Sequence, residues 1–377
     1  MNIQMVDLHS QYKRLKKEID AAVKGVIKST SFINGPQVNI FGDRLAAYLN
    51  IPYVVPCANG TDAIRLALNA LNTQPGDEII IPAFTYIAAA EMVASLGLIP
   101  VLVDVDADTF NINTELLEHA ITRQTKAIIV VHLFGQVCDM EPVMKIAEKY
   151  KISIIEDNAQ SLGADYTFSN GTVKKAGTIG HIGTTSFFPT KPLSCYGDGG
   201  AVMTSDGELA ERIRMLANHG QTKKYHHKII GCNSRLDTIQ AAILNIKLNY
   251  MDEFTQARQE VAKHYDRRLS PLSEIRIPAK SFFSTHIYHQ YTLRVRDERR
   301  DALQAYLKER GIPSMVYYPF AVHEQEGYKW VARISGNINV AIRLCKEVLS
   351  LPIHTEMTDE EIQWITDNVA QFFRTED

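Results

Sequence analysis

The sequence predicts an α/β protein, with a large domain built on a mostly parallel sheet and a smaller α+β domain behind it. Three observations predict it. Between residues 51 and 160, strand-length apolar runs alternate with helix-patterned segments, as in strands joined by helical crossovers. Runs such as EIII and AIIVV are apolar at every position, which suits strands covered on both faces. After Pro271 the alternation gives way to a different mixture of strand and helix patterns.

The elements follow in order. Leu8, Tyr12, Leu15, Ile19 and Val23 recur at helical spacing and predict an opening amphipathic helix. IPYVVPC, DEIIIPAFTY, IPVLVDVD, KAIIVVHLFG and ISIIEDNAQS then read as strands. Between them DAIRLALNAL, IAAAEMVASLG, NTELLEHAIT and EPVMKIAEKY read as helices, the third capped by Asn113 or Thr114. TTSFF and AVMTS suggest strands around a Gly-rich turn, and ELAERIRMLANHG a helix ended by Gly220. The stretch from Thr238 to Leu269 reads as one long helix linking a large domain, 1–250, to a small one, 251–377. In the latter, HQYTLRV and IPSMVYY read as strands, while DALQAYLKERG, NINVAIRLCKEVLSL and DEEIQWITDNVAQFF read as helices.

Composition bounds the function. With 377 residues, 40 basic against 43 acidic and a net charge of −3, the chain offers no electrostatic footprint for nucleic acid or a membrane. The opening residues hold no apolar segment of signal-peptide length, and no run of about 18 apolar residues occurs anywhere. Cys57, Cys138, Cys195, Cys232 and Cys345 are odd in number and lack C-x-x-C spacing. The expectation is a cytoplasmic chain with free thiols and no metal site. His226 and His227 stand among Lys223, Lys224 and Lys228, either as a solvated basic loop or as a phosphate contact. No G-x-G-x-x-G follows the first strand, which disfavours a plain dinucleotide-binding fold.

Four segments carry chemistry, each at or just after the carboxyl end of an expected strand, where open α/β sheets bind ligands. In CANGTDA, Gly60 and Thr61 would open a helix and offer N–H groups to a phosphate, although Asn59 or Thr61 could merely cap that helix. In PAFTY, Tyr86 could stack on a flat ring or pack in the core. In IIEDNAQ, strand alternation lets only one of Glu156 and Asp157 face a pocket, where a carboxylate could keep a pyridinium nitrogen protonated. In TSFFPTKPLSCYGDGG, Pro192 biases Lys191 away from helix and the glycines permit reversal behind it. Most lysines are solvated, but imine chemistry needs one confined where it can lose its proton. Together the segments supply what pyridoxal 5'-phosphate (PLP) requires: a phosphate cradle, a stacking face, an acid for the ring nitrogen and an imine-forming lysine.

On these segments, with FINGPQV, VHLFGQ and HGQTKKYHHKIIGCNSRLDTIQAAIL, the chain resembles the PLP-dependent sugar aminotransferases named after the DegT, DnrJ, EryC and StrS proteins. The resemblance runs from MVDLHSQY to LPIH. It implies fold type I, the aspartate-aminotransferase-like fold, and a homodimer with active sites shared at the interface. It further implies that Lys191 is the imine lysine and proton shuttle, that Asp157 pairs with the ring nitrogen, and that Gln160 contacts the ring oxygen. Tyr86 would stack on the ring, and Gly60, Thr61 and Ser186 would hold the phosphate, with Asn233 reaching it from the other subunit. Arg235 would face the substrate, and Tyr317, Tyr318 and His323 would line the sugar pocket. HHKIIGCNSRLD is similar to members that aminate UDP-2-acetamido-3-keto-glucuronate, with glutamate as donor, for surface-polysaccharide synthesis. Many such members read V-H-Y-P where this chain reads Val316-Tyr317-Tyr318-Pro319. A sugar 3-dehydratase of the family would lack Lys191, and a non-catalytic relative would show losses among Asp157, Gln160 and Lys191.

Overall fold

Eight strands form one mixed sheet in this computed structural model, which describes residues 3–374. Across it they run Tyr53–Cys57, Gly200–Thr204, Ile182–Ser186, Ser153–Asp157, Thr125–Val131, Glu78–Pro82, Ile99–Val103 and Arg333–Ile334. Gly200–Thr204 is antiparallel to both neighbours, and every other pairing is parallel. The continuous apolar runs have the expected cause: Ile79 and Ile81 enter one core cluster while Ile80 enters another on the opposite face. All three are fully buried, each worth about 1.5–3 kcal/mol in transfer from water.

The opening helix is Leu8–Ser29, capped by Asp7, whose carboxylate accepts from the N–H of Ser10. The sequence reading leaves a second helix, Pro36–Leu49, unassigned, although Pro36 opens it and Val38, Phe41, Leu45 and Leu49 form its buried stripe. The expected helix over NTELLEHAIT shrinks to a 3-10 turn, Thr114–Leu116, and one α-turn, Leu117–Ala120; Asn113 is its cap. The long linking helix is two helices, Thr238–Lys247 and Met251–Leu269, separated by the 3-10 turn Leu248–Tyr250 at the expected domain boundary. Arg44 draws off the carbonyl of Asn245 at 2.7 Å just before that turn.

Behind it, Ile275–Arg276, Tyr291–Val295 and Val348–Leu351 form an antiparallel sheet. It packs with Tyr265, Leu303, Ile365 and Phe373 into a separate core. Two expectations here fail. IPSMVYY is not a strand: Pro313 and Pro319 lack N–H groups, and Met315 alone pairs with Ser350 before the chain runs on to the large sheet. NINVAIRLCKEVLSL is helical only over Asn339–Glu347; Val348–Leu351 turns extended because Tyr291–Arg294 offers it a complete ladder. The region between them returns to the large body, where Arg333–Ile334 extends the sheet and Ala341 and Leu344 enter its core.

Candidate active site

A cavity of about 670 Å³ opens at the carboxyl ends of the parallel strands. Its lining includes Gly60, Thr61, Tyr86, Asp157, Gln160, Ser186, Lys191, Tyr317 and Tyr318, drawn from five separate stretches of chain.

The end of the cavity expected to hold a phosphate is built by close approach. Asn59 caps the helix Gly60–Ala70, its Oδ1 accepting from the N–H of Asp62 at 2.7 Å, which leaves Thr61 free of that duty. A Cβ on Gly60 would lie 2.6 Å from Cβ of Ser186, and one on Gly200 would lie 2.4 Å from the backbone of Asn59. Helix start and strand end therefore meet as only glycine allows, forming a narrow cradle at the positive end of a helix.

At the other end Asp157 ends its strand, and its Oδ1 accepts from the N–H of Ala159 at 3.1 Å. Burial raises its pKa, while that N–H and the charge of Lys191 pull it down. Glu156 faces the other way and is fully buried, as alternation requires. Desolvation lowers the pKa of Lys191 to about 8, against the opposing pull of Asp157. Gln160 is fixed at both ends of its amide: Oε1 accepts from the N–H of Phe134 at 2.8 Å, and Nε2 donates to the Tyr318 hydroxyl at 3.2 Å. Tyr86 is 55% exposed and so does not pack in the core; its ring lies 6.1 Å from that of Tyr318.

Asn233, Arg235 and His323 do not line the cavity of a single chain. Asn233 is exposed and Arg235 half-buried. His226 and His227 lie on an exposed two-stranded ribbon with Gln221–Lys223. Sequence reasoning missed His289, Asp198 and Phe134, which do line the cavity. His289 lies two residues before the strand Tyr291–Val295 with no motif around it, so the sequence carries no signal of its place.

A phosphate cradle, an exposed tyrosine face, a desolvated lysine and a carboxyl group in one cavity of coenzyme size fit PLP. Among the described residues no cluster of His, Cys, Asp or Glu is arranged for a metal. Fold and site together define a PLP-dependent transferase of fold type I. The chain belongs to the DegT/DnrJ/EryC1/StrS aminotransferase family, whose model matches residues 13–370. It is 43% identical to a "pleiotropic regulatory protein" of Geobacillus stearothermophilus, with 99% of each chain covered. It is 44% identical to the UDP-2-acetamido-2-deoxy-3-oxo-D-glucuronate aminotransferase of Pseudomonas aeruginosa, over 96% of this chain and 98% of that one. A crystal structure of a family aminotransferase from Brucella abortus superposes with a TM-score of 0.93 at 38% identity, covering 98% of this chain and 99% of that one. Solved structures of similar chains include PLP and PMP forms. The protein is a PLP-dependent sugar aminotransferase.

Proposed function

We propose that this enzyme moves an amino group from L-glutamate to the 3-keto carbon of UDP-2-acetamido-2-deoxy-3-oxo-glucuronate, giving a 3-amino sugar for surface-polysaccharide synthesis in the cytoplasm. The observation that carries the transamination is Lys191, an amine lowered to about 8 in the cavity that holds Asp157 and Tyr86. The Pseudomonas relative supports the choice of sugar.

Bound PLP supplies an electron-withdrawing ring that carries the amino group between donor and sugar. The rest falls to the chain. Gly60, Thr61 and Ser186, which line the cavity at the helix start, would hold the phosphate, and Asn233 of the partner subunit would complete that hold in a homodimer. Asp157 would pair with the ring nitrogen, its charge keeping that nitrogen protonated. Tyr86 would cover the ring face, and Gln160 would lie near its oxygen, both standing in the cavity lining. Lys191, with a pKa of about 8, both takes up and returns a proton near neutral pH. Arg235 of the partner subunit, in the same segment as Asn233, would meet a carboxylate at carbon 6 with its two-pronged guanidinium, while Tyr317 and Tyr318 line the sugar pocket and His323 would reach it from outside the cavity lining. Tyr317, which lines the cavity where many relatives carry a histidine, supports a second reading, a 3- or 4-keto-6-deoxy dTDP- or UDP-sugar.

The test offers the purified enzyme glutamate and a panel of 3-keto and 4-keto nucleotide sugars, with products read by mass spectrometry. The 3-keto glucuronate should turn over best. Arg235→Lys should lose roughly 1–3 kcal/mol more on the 6-carboxylate than on its 6-methyl analogue, the scale of a charge-assisted hydrogen bond. Equal losses, or preference for a 6-deoxy sugar, would remove the glucuronate assignment.

A further inference from the structure

His132 and Glu156 form a fully buried pair outside the cavity. His132 follows the strand Thr125–Val131, and Glu156 directly precedes Asp157. The proton positions follow from the partners. His132 Nδ1 receives the backbone N–H of Cys138 at 3.1 Å, so Nδ1 is an acceptor. The ring hydrogen therefore sits on Nε2, which donates to Glu156 Oε2 at 2.8 Å. Glu156 also accepts from the N–H groups of Gly177 at 2.9 Å, Ile179 at 2.6 Å and Gly180 at 2.5 Å. Those donors hold its carboxyl below its usual pKa against the burial that would raise it.

His132 also grips the chain on the far side of Asp157, because its backbone N–H donates to the carbonyl of Asp157 at 3.1 Å. One residue thus brackets Asp157: its ring holds the side chain before it, and its amide holds the carbonyl after it. The loop that Glu156 gathers, 177–180, leads into the strand Ile182–Ser186 and so to Ser186 and Lys191. The residues after His132 supply Phe134, whose N–H fixes Gln160. By contrast, among the described residues the side chain of Asp157 accepts one hydrogen bond, from the N–H of Ala159, so its aim is set by the backbone that carries it.

We infer that His132 and Glu156 are positioning residues that aim the Asp157 carboxylate at the cofactor's ring nitrogen, although neither lines the cavity. The inference rests on the reading of Asp157 given above. Glu156→Gln would put an amide NH2 toward at least one of the N–H groups now satisfied, and Nδ1 cannot take over the ring hydrogen while Cys138 donates to it. His132→Gln is milder and removes the ring's simultaneous hold on Cys138 and Glu156 while sparing the three backbone bonds to the carboxylate.

The test uses both variants and Asp157→Asn as holoenzymes. It reads the pH midpoint of the bound cofactor's visible absorbance, the dissociation constant for PLP, and the melting temperature of the cofactor-free protein. Asp157→Asn should move the midpoint; if it does not, the reading of Asp157 itself fails. If it does, Glu156→Gln and His132→Gln should move the midpoint in the same direction and weaken PLP binding several-fold. Variants that melt earlier yet keep the wild-type midpoint and affinity would overturn the inference, since the pair would then serve the core alone. Failure of both variants to fold would overturn it for the same reason.

Discussion

Gly60→Ala tests the phosphate cradle through a single added methyl group. Two effects oppose each other. At a helix start alanine gains up to about 1 kcal/mol over glycine from backbone entropy. Against this, the new Cβ would lie 2.6 Å from Ser186 Cβ and 3.2 Å from Ser186 Cα, both fixed by the sheet. Contacts of that kind force a backbone shift and cost roughly 1–3 kcal/mol. Packing wins, and the shift occurs where helix start and strand end converge. PLP affinity should fall about tenfold or more, about 1.4 kcal/mol per decade. Equilibrium titration of the cofactor-free protein by absorbance measures it. Gly25→Ala is the control, because its Cβ would meet nothing within 4 Å in the helix Leu8–Ser29. That variant should gain about 0.5–1 kcal/mol of stability with PLP affinity unchanged. Wild-type affinity in Gly60→Ala would refute the argument that close approach builds the site.

Two further outcomes follow from the same geometry. Lys191 is depressed from 10.5 to about 8, so between those values the folded chain binds fewer protons than the unfolded chain and this group's contribution favours folding increasingly as pH rises. Cofactor-free wild type should therefore gain melting temperature relative to Lys191→Met between about pH 8 and 10.5, and a flat difference would contradict the lowered value. Mixing inactive Lys191→Ala and Asn233→Asp subunits should restore about a quarter of wild-type activity, because half of randomly exchanged dimers carry one intact site. No recovery after demonstrated exchange would place Asn233 in its own subunit's site.

Much of the sheet was legible because its strands are apolar at every position, a pattern that both cores require of Ile79, Ile80 and Ile81. The cavity's cofactor end was legible too, since Gly60, Asp157, Ser186 and Lys191 lie in contiguous motifs at strand ends. What escaped depended on partners remote in sequence. Val348–Leu351 continues a helical pattern and becomes a strand only because Tyr291–Arg294 lies beside it. His289 enters the cavity through the way residues 287–290 cross the loop at Gly135, whose carbonyl bonds Ile287. Glu156 could be assigned to the face away from the cavity by alternation, but its four donors come from His132 and 177–180 and left no local trace.

The reversed strand Gly200–Thr204 bears on how freely this site can change. Because it returns beside Ile182–Ser186, the chain from 187 to 199 leaves and rejoins the sheet at one rim, with Phe187 bonded to the carbonyl of Gly199 at its base. A parallel return would carry the chain back along the sheet to its opposite rim, and Lys191 would have to be placed from a crossover rather than from a connection closed at one rim. Here the lysine rides on a closed loop whose two feet are fixed by sheet register. Within it Leu193 and Cys195 are anchored in the core and Ser194 accepts from the buried Lys247, so the exposed Phe188 and Asp198 are the positions that can be exchanged without shifting a strand beneath. Substrate range can therefore drift at those two positions, which line the cavity, while the scaffold that aims Asp157 stays in place.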